Sequence, residues 1–149
     1  MHRDALRLMP APTASVQRSF RLTQRTAELL DACAEASSGT RNSLVERILA
    51  EALRTEQHPL IRFRHGAAGR REPMLVGTRL LVRQVIATVR GSEDAADAAD
   101  SLSVPRYLVE AAIAFYAEFS AEVDADASWA EHFAEAELVN WMQQQDLFR

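Results

Sequence analysis

Residues 15–23 read SVQRSFRLT, and the fold turns on how this stretch is read. On an extended chain Phe20 and Leu22 share one face, while Gln17, Ser19 and Arg21 share the other. A half-buried strand accounts for the apolar pair. The polar set is distinctive because all three side chains can donate hydrogen bonds.

Downstream, LTQRTAELLDACAEAS offers Thr23 as an N-cap, with Ala27, Leu30, Cys33, Ala34 and Ser37 at helical spacing. Gly39 is expected to break that helix. A second opens in GTRNSLVERILAEALRTE, where Leu44, Val45, Ile48, Leu49, Ala52 and Leu53 form a broad stripe. Strand, helix, helix within residues 15–56 cannot stand alone. A lone strand has two open edges, and two short helices bury too little apolar surface. A twofold dimer solves both problems: the strands pair antiparallel and the four helices share a core. Such a ribbon fits the major groove of B-DNA, where Arg can bind guanine and Gln can bind adenine.

RSFRLT followed by GTRNSLVERILAEAL resembles the ribbon-helix-helix (CopG/Arc/MetJ-like) DNA-binding domain. Thr23 stands where that family usually has Pro. The resemblance implies base reading by Gln17, Ser19 and Arg21. It also implies phosphate binding at the start of the second helix, from Thr40 through Arg41 and Asn42 to Ser43, as helix N-termini can provide. The alternative for Arg21 and Ser19 is an ordinary solvent-facing strand position.

Charge is divided along the chain. All 17 basic residues are arginine: residues 1–90 carry 15 of them against 8 Asp and Glu, and residues 91–149 carry 2 against 13. The net charge of −4 therefore hides a basic end suited to nucleic acid and an acidic end suited to another partner. Residues 1–14 read as a flexible arm. With no secretory signal and no apolar run of the ~18 residues that span a bilayer, a cytoplasmic location without membrane contact is expected. Cys33 is the single cysteine and is expected to be a buried small hydrophobe. His2, His58, His65 and His132 show no ligand spacing, so no metal or other cofactor is expected. Neither a phosphate loop nor a nucleophile–base motif is present, and no catalytic residue is assigned.

Residues 58–127 form a second module. HPLIRFRHGAAGRREPMLV reads as a hairpin about the turn HGAAGR. A helix from near Val82 carries Val82, Val85, Ile86 and Val89 on one face and ends at Gly91. Ser92 is expected to cap a short acidic helix. Ser103 is expected to cap a third, with Pro105 in its first turn and Leu108, Ala111, Ala112, Phe115 and Phe119 as its buried stripe. Arg70, Arg71, Arg79 and Arg83 are placed to touch a nucleic-acid backbone, or are plain surface charge. Gly77-Thr78-Arg79 reads as a structural turn. The HP-x-I … GRR … GTR-x-x-V and AAIAFYAEFSAEVDA runs resemble an antitoxin-associated domain, DUF family number 433. That resemblance implies a helix-turn-helix-like fold usually encoded beside a PIN-like ribonuclease toxin.

The tail, residues 128–149, has neither Gly nor Pro and is expected to be helical when bound. Trp129, Phe133, Leu138, Trp141, Met142, Leu147 and Phe148 are more large apolar groups than a free surface helix carries, which points to a partner. Docking onto the protein's own domain is the alternative. The expectation is a mainly α chain with short β elements: a ribbon-helix-helix module, a hairpin plus three helices, and a helical tail. Its expected role is that of a dimeric antitoxin that represses its own operon and neutralises a PIN-like ribonuclease, or else a stand-alone ribbon-helix-helix regulator.

Overall fold

The computed structural model describes residues 14–66 and 69–148. The chain is mainly helical, with five helices and one two-stranded antiparallel sheet among the described residues. It divides into two compact units, the first ending at Leu44 and the second starting at Val45.

In the first unit α1 spans Gln24–Ala36. Thr23 caps it as expected, its hydroxyl accepting the Thr26 N–H at 3.2 Å. The helix stops at Ser37, ahead of Gly39, because the Ser37 amide and hydroxyl both turn back to Ala34 O. α1 buries none of its residues, and Cys33 is exposed rather than buried as expected, since no second layer covers that face within one chain. Residues 14–22 pair with no other strand. The expected strand at 15–23 is thus no ladder within a single chain, which supplies no neighbour for its edges. The arm at 1–13 lies outside the described residues.

α2, Arg41–Gln57, begins in the first unit with its opening turn, and from Val45 onward it belongs to the second. In the second unit β1 (Ile61–His65) and β2 (Arg71–Leu75) pair in the register Ile61↔Leu75 and His65↔Arg71. The expected hairpin is present, although Ala67 and Ala68 of its turn lie outside the described residues. Gly66 is needed where it is: a Cβ there would sit 2.1 Å from the Glu72 carboxylate. After β2, Gly77 takes a positive φ of 72°. The Thr78 hydroxyl donates to Leu75 O and accepts the Leu80 N–H. The Gly77-Thr78-Arg79 turn is structural, as its residues suggest.

α3, Val82–Arg90, opens with the Gln84 side chain accepting the Leu81 N–H at 2.9 Å, and ends at Gly91. α4 covers Ala95–Leu102. Its cap is Asp94, not Ser92, and the carboxylate accepts the Asp97 N–H. The Ser92 hydroxyl instead donates to Thr88 O and finishes α3. Ser103 does not open the next helix either. It closes α4 in the left-handed region, at φ 55° and ψ 43°.

α5 runs from Arg106 to Asp146 behind Pro105, so the third helix and the tail are one element, interrupted only at Phe119 (φ −121°, ψ 33°). The core gathers Ile61 and Leu75 of the sheet, Val82, Val85 and Ile86 of α3, Ala98 and Ala99 of α4, and Leu108, Val109, Ala112, Phe115 and Val123 of α5. α5 packs on α3, on α4 and on both strands. Of its expected stripe, Leu108, Ala112 and Phe115 are buried, while Ala111 and Phe119 are half-buried.

Candidate functional site

Gln17, Ser19 and Arg21 are exposed, as sequence reading placed them, and so are the apolar side chains between them. Phe20 is 76% exposed, and Val16, Leu22, Leu29, Ile48, Leu49 and Leu53 are exposed as well. Among residues 14–57 only Leu44 is buried. An extended segment and two amphipathic helices thus leave a large apolar surface in water.

Arginine chemistry differs between the units. Arg21 and Arg25 have no hydrogen-bond or ion-pair partner among the described residues, and Arg18 donates only to the neighbouring Gln17 carbonyl. At the α2 N-terminus, Thr40 Oγ1 accepts the Ser43 N–H at 3.1 Å, and Arg41 pairs with Asp31 at 2.9 Å. The expected phosphate site is therefore half-occupied by the protein's own groups. Asn42 stays exposed on its first turn.

In the second unit nearly every arginine is committed. Arg71 binds Glu51 with two hydrogen bonds of 2.8 and 2.9 Å, and those bonds raise its pKa above the ordinary value. Arg83 holds the buried Glu72 at 2.7 Å, and Arg70 holds Asp126 at 2.9 Å. Arg54 chelates Glu122 and lies 4.6 Å over the Phe119 ring. Of the four arginines read as either backbone contacts or plain surface charge, Arg70, Arg71 and Arg83 are thus internal cross-links. Arg79 alone is exposed with no side-chain partner among the described residues. Sequence reading missed this because the carboxylates lie far away along the chain.

Arg54, Arg70 and Arg71, with Glu122 and Asp126, rim a cleft of about 330 Å³ floored by Phe63, Phe115 and Val123. Beside it His58 packs edge-on to Phe115, and its Nε2 lies 3.3 Å from Glu118 without hydrogen-bonding alignment. No group of His, Cys, Asp or Glu among the described residues is arranged to hold a metal ion.

The tail is the last part of α5. Trp129, Phe133, Leu138, Trp141, Met142, Leu147 and Phe148 are all exposed, with Phe148 at 86%. Trp129 alone of these meets another element: the Arg70 guanidinium lies 5.3 Å from its ring. The apolar groups do not share one stripe. At 100° per residue Trp129 and Phe133 point one way, and Leu138 and Met142 point nearly the opposite way. Glu131, Glu135 and Glu137 lie between them, and no described residue after Arg106 is basic except His132. Among the described residues no helix is long and apolar enough to cross a membrane. No family model, curated protein or solved structure matches the chain.

Proposed function

We propose that the chain is the antitoxin of a type II toxin–antitoxin pair. Two copies join through residues 15–23 and the helices behind them, and the resulting ribbon reads operator DNA with Gln17, Ser19 and Arg21. The second unit is a helix-turn-helix-like spacer, and the acidic tail occupies the RNA-binding ground of a PIN-like ribonuclease. Such an enzyme keeps basic residues for RNA, which the tail glutamates can face.

One observation carries this reading. A segment with donors on one face and bare apolar groups on the other stands unpaired beside two exposed amphipathic helices. The unpartnered arginines support it from the same end of the chain. The tail supports the second half of the reading, with two exposed Trp on an acidic helix.

The test is co-expression of the tagged full chain with the adjacent open reading frame, alongside the same chain carrying Trp129→Ala and Trp141→Ala. A ribonuclease that co-elutes with the unaltered chain and is lost from the double variant, while promoter binding persists, supports the reading. Promoter binding with no retained partner would leave a stand-alone regulator, and loss of both partner and DNA would remove the antitoxin assignment.

A further inference from the structure

The point where the tail leaves the body is built from three side chains. Arg70, at the end of the hairpin turn, donates to Asp126 Oδ1 at 2.9 Å and spreads its guanidinium over the Trp129 ring. Asp126 and Trp129 are three residues apart and so share a helix face, and one cation grips both. After Trp129 every described residue except the half-buried Ala130 is exposed. Asp126 itself is only 8% exposed, an uncommon place for a carboxylate.

The other contacts of this region lie nearer the break at Phe119. Arg54 holds Glu122, and the Tyr116 hydroxyl donates to Asp124 across the break at 3.0 Å, with Arg90 on the same carboxylate. Val123 is in the core. The helix is therefore fixed through Asp124 by several groups, whereas at residues 125–136 the Arg70 grip is the side-chain tie to the rest of the body among the described residues.

We propose that Arg70 is a latch on the tail, fastened by the ionised Asp126 and released when that carboxyl takes up a proton. The groups facing Asp126 are Arg70 from the turn, Glu72 from β2 and Glu122 from α5. Arg54 of α2 and Arg71 of β2 share its cleft, and Arg83 of α3 holds Glu72. Burial pushes the Asp126 carboxyl above the usual range; Glu72 and Glu122 push the same way, and Arg70 offsets them only in part. Protonation therefore occurs at a milder pH than for an exposed aspartate. The neutral acid can still accept from Arg70, but the ion pair that keeps the guanidinium over Trp129 is lost. Arg70 acts here as a positioning residue.

The experiment uses the full chain without a partner. Amide exchange is compared between the wild type and Arg70→Gln. The expected result is about tenfold faster exchange across residues 126–136, a factor that one lost charge-assisted bond supplies, with residues 106–118 unchanged. In parallel, a Trp141→Phe chain makes Trp129 the sole indole. Its emission and quenching should shift as pH falls, and the same chain with Asp126→Asn should show the shifted signal at every pH. Unchanged exchange in Arg70→Gln overturns the latch. So does a pH transition that persists in the Asp126→Asn chain, a reading that stands even where the arginine variant fails to fold.

Discussion

Arg21 and Asp126 show how far single side chains depend on their surroundings. Arg21 has no partner among the described residues, so on the proposed reading its donors are unspent until they meet a base. Arg21→Ala should then cost about 1–3 kcal/mol in operator affinity while the dimer stays intact, as titration of labelled promoter DNA together with sedimentation would show. Asp126 is the opposite case, a carboxylate surrounded by its own protein. Because burial raises its pKa in the folded chain, the folded state binds more protons than the unfolded one between the ordinary aspartate value of about 4 and the raised one. Stability contributed here therefore falls as pH rises through that window and stays lower above it. Asp126→Asn should be more stable than wild type at pH 7 and converge with it in acid, a difference measurable by denaturant melts at several pH values. The alternation of Gln17, Ser19 and Arg21 with Phe20 and Leu22 is legible in the sequence, but all of these residues are exposed, because no partner covers either set among the described residues. The Arg70–Asp126 pair was out of reach, since 56 positions separate the two residues.

At the scale of elements, the hydrophobic period was informative wherever one face is buried. Val82, Val85 and Ile86 set α3, and Leu108, Ala112 and Phe115 set the first half of α5, all as their spacing implies. Caps were harder. Ser92 and Ser103 both sit where a capping serine belongs, yet Asp94 takes the α4 start and Ser103 takes its end. Either hydroxyl can bond forward or backward along the chain, and sequence does not state which. The continuity of α5 was hidden because the tail pattern wraps around the helix and reads as a separate segment. Phe115 is 1% exposed and touches Phe63, Phe119 and His58. Phe115→Ala should cost about 3–5 kcal/mol in the second unit by chemical denaturation, since it leaves a cavity beneath the sheet.

At the scale of the whole molecule, the two units keep different accounts of apolar surface. The second has a closed core of sheet and helices and neutralises most of its arginines with its own carboxylates. The first, on its own, covers almost nothing. On the proposed reading a second chain covers it, and the sequence signals that through apolar spacing in residues 15–57 without stating the geometry. If two copies join as proposed, Phe20→Asp should weaken self-association by at least ~3 kcal/mol, because the dimer would lose two aromatic side chains worth about 1.5–3 kcal/mol apiece. Sedimentation equilibrium of the full chain across concentrations would measure it, and an unchanged dimer would move the association surface away from residues 15–23.

The helix that carries the tail has a mechanical consequence. From Trp129 to Asp146 it rises about 26 Å at ~1.5 Å per residue, unsupported along nearly all of that length. Pivoting such a rod by about ten degrees at its base carries the far end through roughly 4–5 Å, close to one helical turn. Trp141 and Met142 ride near that end. A side-chain adjustment at the base is thereby amplified into a displacement large enough to engage or miss a socket on another protein.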